Sequence, residues 1–438
     1  MYKLKNIFLL CFLVATAHVS FGQIFSAYSQ YGLGILNNSS SPVQAAMGGI
    51  GAAFIDGANV NYTNPAALSA IEEATFDFGL RLNTRSIANS ANLPFTVADG
   101  GVNNISLSFP VMKNRWGMSF GLLPYSFSKY KSNATRTFDG KNYTTSAEGS
   151  GSLYKVYLGN GFHYKGFRAG LNAEFIFGKL ENSIYTAFTD ETDNTTGSRL
   201  TRSMSVRDIV FNLGVQYTAD LTKFENREKG KEDLLLTVGA YFAPSLKVDA
   251  FYSDYLEATA ISSLSGNPFP IDTASGAIFN KYSTTAVPTN IGSGISIGRK
   301  NSWSVGLDYD FKSWVNFNSP ISSSKLTDEW KIKVGGFILP NNKSKKYFNR
   351  VSYRLGAHFG KAPIIHENAG VSDFGITFGF GLPLNRYKFS NRSLSNLNFA
   401  FEIGALGSNK NQNLVENYYN FTLTYTLSDF WFRRPKFD

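Results

Sequence analysis

Three histidines lie beyond residue 22 of the chain, His163, His358 and His366, and they are too far apart to offer a metal-ligand spacing. The only cysteine, Cys11, sits in an apolar run near the N-terminus, so thiol catalysis, disulfides and cysteine–zinc sites are not available to the rest of the chain. No nucleophile elbow stands out. The expectation is therefore a protein that is not an enzyme, with no metal and no cofactor. What remains is electrostatic chemistry. Asp77, Arg81, Lys155, Arg168, Glu174, Asp208, Asp308, Asp310, Arg354 and Glu402 each alternate with apolar neighbours. A guanidinium offers a planar, permanently charged fork to an anion, which makes Arg81 and Arg354 the candidates for binding an anionic ligand head group. Opposite charges bracing one another is the competing use of the same residues.

The elements that carry these charges read as strands. Phe76, Phe78, Leu80 and Leu82 share one parity, and Asp77, Gly79, Arg81 and Asn83 the other. The same period of two recurs from Ile105 to Val111, from Trp116 to Leu122, from Phe167 to Phe177, from Val351 to Phe359 and from Phe374 to Phe380. The pattern predicts about fourteen strands of roughly ten or more residues, a strand content too high for an ordinary soluble domain. With one apolar face, one Gly-rich polar face and no later apolar run of about 18 residues, the fold expected is all-β, a transmembrane antiparallel barrel closed on itself.

At the N-terminus Lys3 and Lys5 precede the apolar run Ile7 to Ala17 and the small-residue site Ser20-Phe21-Gly22, the pattern of a secretory signal peptide over residues 1–22. Residues 23–71 are rich in Ser, Asn, Gly and Ala and predict a plug packed inside something larger. Within it Asn64-Pro65-Ala66 forms a fixed bend, because proline sets its own φ and restricts the residue before it. Residues 72–438 are the barrel. The net charge of +10 comes from dispersed Lys and Arg, so nucleic acid is not expected as a partner. Membrane lipids are, and so is the outer-membrane insertion machinery during assembly, which would engage the aromatic-rich last strand ending in Phe430-Trp431-Phe432.

Connections after odd-numbered strands should be external and long. Ser132 to Gly151 and Tyr252 to Ser283 fit, while Met112 to Asn114, Lys165-Gly166 and Lys300-Asn301 fit the short periplasmic side. Asp220 to Asp233 breaks the rule, being long, charged and periplasmic: a solvated turn or a docking surface. In the second long loop Leu256, Ala260, Ile261 and Leu264 stand at helix-like spacing, suited to an apolar capture surface or equally to a short helix packing on the rim. In the third strand Pro124 cannot donate to its neighbour, and Gly121 just before it eases bending, so the wall is predicted to kink or open there, either as a lateral gate or as a plain strand end at the outer rim. Trp116, Tyr125, Tyr130, Trp303, Trp314, Trp330, Tyr418 and Trp431 are expected in interfacial girdles.

With its small-residue N-terminal segment, Asn64-Pro65-Ala66, about fourteen strands and the run Trp116 to Tyr125, the chain resembles the FadL family of outer-membrane transporters for long-chain fatty acids and other hydrophobic compounds. The resemblance implies residence in the outer membrane of a Gram-negative bacterium and a hatch inside the barrel to which Asn64, Pro65 and Ala66 belong. It also implies a hydrophobic small-molecule ligand that leaves sideways through a kinked third strand. Barrels similar to that family also serve as non-transporting partners, which gives the alternative expectation: a structural or shuttle barrel with a protein partner in an outer-membrane secretion or assembly complex.

Overall fold

The computed structural model describes residues 26–37, 40–89, 92–188, 197–222, 233–261, 268–321, 326–366, 369–384, 395–407 and 414–429. The segment read as a signal peptide, the centre of the Asp220 to Asp233 turn, Leu264 and the terminal aromatics from Phe430 lie outside them.

Strand β1 is the two-residue Ile35–Leu36; the wall begins with β2 (Ala74–Asn89), β3 (Asn92–Met112), β4 (Trp116–Phe127), β5 (Tyr130–Phe138), β6 (Lys141–Tyr164), β7 (Phe167–Phe188) and β8 (Gly197–Asp220). It continues through β9 (Leu234–Ala243), β10 (Lys247–Ile261), β11 (Pro268–Thr273), β12 (Ile278–Ala286), β13 (Thr289–Arg299) and β14 (Trp303–Ser313). It ends with β15 (Glu329–Ile338), β16 (Ser352–His366), β17 (Ala369–Pro383), β18 (Ser395–Gly407) and β19 (Val415–Asp429). β19 pairs with β2 from Val415↔Ala88 to Asp429↔Ala74, which closes the sheet on itself. Three wall strands are interrupted: β4 and β5 share the partner β6, β9 and β10 share β8, and β12 and β13 together line the next position. Taken so, the wall is an antiparallel barrel of fourteen strands. Pro244 and Pro288 stand at two of the interruptions, where a residue without an N–H ends the ladder.

Parity behaves as the alternation dictates. Phe76, Leu82, Phe120, Leu158 and Ile376 are exposed on the outer surface, while Asp77, Arg81, Ser119, Lys155 and Thr377 are buried inside. Among the lumenal candidates Arg168, Asp208 and Glu402 are half-buried, and Asp208 accepts the Asp249 N–H near the start of β10. Tyr418 and Trp314, expected in a girdle, are buried in the lumen instead.

The two predicted long external loops are mostly strand. Asp139 and Gly140 both have positive φ (49° and 73°) and join β5 to β6 in a tight hairpin, the turn that an Asp-Gly pair favours. β6 therefore runs for 24 residues, at least twice what a bilayer needs. The helix-like spacing at Leu256, Ala260 and Ile261 is likewise overturned: all three lie in β10, paired on one edge with β8 and on the other with β11 and β12. Residues four apart share a face of a strand as well as of a helix, and two flanking ladders decide for the strand. The periplasmic side has a second long excursion that the short-turn rule did not foresee, Leu339 to Val351, with a 3-10 turn at Tyr347–Arg350.

Inside the wall, residues 26–71 make a compact plug of short turns. Ser41 caps the helix Pro42–Ala45 in a full capping box with Gln44. Above the plug an apolar cluster packs into the lumen, including Leu33 of the plug, Ile176, Met204 and Val248 of the wall and Ile321 of the β14–β15 connection.

Candidate functional site

Asn64 holds the plug's last turn, Pro65–Ala70. Its Oδ1 accepts the Ala66 N–H at 3.1 Å, and Pro65 occupies the first position of the turn, where no donor is needed. Its Nδ2 reaches the carbonyls of Ala52 in the plug, at 2.7 Å, and of Val215 and Ala240 in the wall, at 3.3 and 3.2 Å. The motif joins plug to wall. A ring of inward glycines makes that approach possible. A Cβ on Gly214 would lie 2.0 Å from Asn64 Oδ1, on Gly170 2.3 Å from the Pro65 carbonyl carbon, on Gly117 2.0 Å from Leu68 O, and on Gly239 2.0 Å from Ala52 O. On the far side Gly335 and Gly356 meet Met47 in the same way. Only hydrogen fits between the two backbones.

Wall side chains then grip the plug's main chain. Asp308 accepts the Gly51 and Ala52 N–H groups at 2.6 and 2.7 Å, Thr377 accepts Gly48 N–H at 2.7 Å, and Gln216 and Ser296 donate to the Ala52 and Ala53 carbonyls. Glu416 receives Ser26 Oγ, the Ala27 N–H and Arg85, so one buried carboxylate ties the plug's first residues to two strands. At about 1 kcal/mol per buried bond, and more where a carboxylate accepts, this set opposes removal of the plug by many times thermal energy. Tyr62 OH accepts from Asn104 Nδ2 and shares a hydrogen bond with Ser106; its burial, and after that the Asp77 charge, push its phenol above the ordinary range and keep it neutral.

The predicted gate lies in the same neighbourhood. β3 pairs with β4 only as far as Ile105↔Leu122, and β4 runs on to Phe127 without that partner. Gly121 lies just below the break, and a Cβ on it would come 2.3 Å from Ile105 O; it serves close strand approach. Pro124 stays paired with Tyr154 of β6. The edge of β4 beyond it is occupied: β1 of the plug adds to it, with Ile35↔Phe127 and Leu36↔Ser126, and Asn37 donates from its backbone to Tyr125 O and from Nδ2 to Pro124 O.

Arg81 and Arg354 do not meet. Arg81 stands above the plug, its guanidinium 3.7 Å from the Phe127 ring centre, beside a cavity of about 220 Å3 that Lys331, Asp373, His358 and Glu402 also line. Arg354 lines a separate cavity of about 330 Å3 below the plug, at the periplasmic mouth. A third space of about 120 Å3 lies near Lys155, Glu174, Asp310 and Lys333. The lumenal charges mostly satisfy one another. Lys155 pairs with Glu174 at 2.9 Å, Lys331 with Asp373 at 2.6 Å, and Lys333 with Asp310, all well buried. Tyr418 donates to Asp373 at 2.9 Å and stands 3.1 Å from His358 Nε2. Of the capture residues, Leu256 is exposed and Ala260 half-buried.

Two Gly-x-Ser-x-Gly stretches, Gly117 to Gly121 and Gly294 to Gly298, are strand interiors and not strand-to-helix elbows. Ser119 is bonded to Ser108 and Tyr157, and Ser296 to Ala53 O. The residues that matter most to this arrangement, Asp308, Gln216, Thr377, Glu416 and the glycine ring, carry no motif. Their only sequence signal is inward parity.

The wall is similar to those of known outer-membrane channels. The CymD monoaromatic hydrocarbon channel aligns over 91% of this chain and 100% of its own, at 15% identity and a TM-score of 0.54. The Ralstonia pickettii toluene transporter TbuX aligns over 90% and 99%, at 15% identity and 0.52, and a Pseudomonas aeruginosa FadL homologue over 89% and 98%, at 10% identity and 0.54. At such identities the likeness speaks to the fold, an outer-membrane barrel of FadL type. No curated protein sequence matches the chain. The BamG family model matches residues 1–438 in full, and the chain, a FadL-type outer-membrane barrel by fold, belongs to the BamG family.

Proposed function

We propose that this barrel works as a non-transporting structural subunit of the Bam outer-membrane assembly machinery, binding protein partners and breaking no bond. The observation that carries the reading is the state of the lumen and its wall. A channel for hydrophobic compounds needs an apolar pocket above the hatch and an open break in the wall. Here an apolar cluster built from the chain's own residues occupies part of the upper lumen, and the break at Leu122 carries β1. The cavities that remain above the plug are small and lined by charges, most of them paired and one, Arg81, outside any ion pair among the described residues, a poor medium for an aliphatic ligand. Membership of the BamG family supports the same reading, and the long β6–β8 wall and the basic Leu339 to Val351 excursion give a partner surface on both sides of the membrane.

The competing role, uptake of hydrophobic or fatty-acid-like molecules, has the fold likeness in its favour. Gentle purification from native membranes, with mass spectrometry of co-eluting proteins and lipids, separates the two. Stoichiometric Bam proteins and no bound amphipath are expected. A bound amphipath in the lumen with no protein partner would overturn the proposal.

A further inference from the structure

The cavity of about 330 Å3 below the plug is bounded by the plug turn from Ile55 to Asn59 and by residues of the lower wall and turns. Three guanidinium groups line it with donors left unused. Arg354, 8% exposed, gives Nη1 to Asn398 Oδ1 at 3.0 Å while its buried Nε has no partner. Arg168 has buried Nε and Nη1 unpartnered, and Arg350 its Nε. Among the described residues no carboxylate forms an ion pair with any of the three. The two nearby acids are engaged: both oxygens of Asp56 are taken by Ala58 N–H and Asn59 Nδ2, and Glu72 pairs with Lys300 at 2.8 Å. A buried donor without an acceptor is costly, and three guanidinium groups lining one space, none of them in an ion pair among the described residues, mark a place where anions fit. Ile55, Leu235, Phe337 and Leu339 supply apolar lining to the same space.

Resting on the assembly-subunit reading above, we infer that the periplasmic mouth is a receptor for an acidic polypeptide segment of a periplasmic partner, its carboxylates on Arg168, Arg350 and Arg354 and an apolar side chain beside Phe337. A lipid head group fits less well, because the cavity lies inside the ring of strands, away from the lipid-facing belt.

The test uses the full chain in detergent and two labelled pentapeptides, acetyl-Glu-Phe-Asp-Leu-Glu and its amide counterpart acetyl-Gln-Phe-Asn-Leu-Gln, read by fluorescence anisotropy. The acidic peptide should bind, weaken steeply with salt and lose about tenfold in affinity in Arg168→Gln and in Arg354→Gln, with the amide peptide bound at least tenfold more weakly. Equal binding of both peptides, or unchanged affinity in both variants, overturns the inference. So does displacement of the peptide by dihexanoyl phosphatidylglycerol at lower concentration than by free acidic peptide, which assigns the mouth to a lipid head group. Arg168 is half-buried, so its variant keeps the test open where Arg354→Gln fails to fold. Co-purification separates the two readings: partners retained without peptide binding sink the receptor site alone, and peptide binding without partners sinks the assembly role alone.

Discussion

Asp308→Ala tests whether the plug is clamped. Asp308 Oδ2 accepts two buried plug amides, Gly51 at 2.6 Å and Ala52 at 2.7 Å, and these residues lie in the run that also bonds Gln216, Ser296 and Asn64. A hydrogen bond to a charged group contributes about 1.5–3 kcal/mol, and alanine leaves both N–H groups buried without an acceptor, so local opening should become easier by about 4 kcal/mol. That is roughly a thousandfold in an opening equilibrium. Asp308→Asn keeps an acceptor and loses the charge, so its effect should be nearer tenfold. Hydrogen exchange read by mass spectrometry on peptides covering residues 44–54 measures this directly, with the β17–β18 hairpin as an internal reference. The expected order of exchange is Ala fastest, Asn intermediate, native slowest, with the reference unchanged. Identical exchange in the native protein and Asp308→Ala would refute the argument, since it would mean that the plug already opens by a route that never breaks these bonds.

Three further outcomes follow from the same geometry. Cysteines introduced at Leu36 and Ser126, cross-strand partners in a chain whose only cysteine is Cys11, should form a disulfide under oxidation and leave co-purification with partners intact; loss of partners on oxidation would show that the plug must move. Gly214→Val places side-chain atoms where Asn64 Oδ1 now lies 2.0 Å from an added Cβ, and should expel the plug turn at about 1–3 kcal/mol or more while the barrel still shows heat-modifiable migration in gel electrophoresis. Lys155→Met strands the Glu174 carboxylate and should destabilise by about 3–5 kcal/mol, whereas Lys155→Met with Glu174→Met should lie within about 1–2 kcal/mol of native in denaturant unfolding.

The barrel was legible because lipid and lumen impose opposite demands on alternate residues: Phe76 and Asp77 need no neighbours to declare their faces. Height along the barrel was not legible in the same way. Parity sends both Arg81 and Arg354 inward, but only the plug's position shows that they open into different compartments. Leu256 and Ala260 fit a helical and a strand period equally, and what decides is pairing: Leu256 with Leu200 of β8, far off in sequence, and Ala260 with Phe269 of β11. Asp139-Gly140 carried a hairpin signal inside a polar stretch, and that stretch had been expected as a loop because it lies beyond the membrane. Asn64-Pro65-Ala66 announced a bend correctly. That the bend anchors the plug to β8 and β9 depends on Gly214 and Gly239, whose lack of a side chain says nothing until something is seen to press against them.

The break between β3 and β4 bears most heavily on function. Parting two strands in a membrane wall leaves backbone N–H and C=O groups without partners, a cost of several kcal/mol in lipid, so the parting needs a compensating use. In a channel that use is passage. Here the exposed edge of β4 is hydrogen-bonded by Ile35–Leu36 and Asn37 of the plug, and the plug is held in turn by Asp308, Gln216, Thr377 and Glu416. Freeing the edge for a ligand would require breaking the β1 pairing and shifting a plug fixed to wall strands on both sides of the barrel. A small apolar ligand gains about 1.5–3 kcal/mol for each large side chain's worth of surface it buries, and it would have to meet that combined cost before it gained any contact. The same bonds suit a scaffold, because they turn a wall with a weak seam into one rigid body whose β6–β8 extension and periplasmic mouth keep a fixed relation across the membrane.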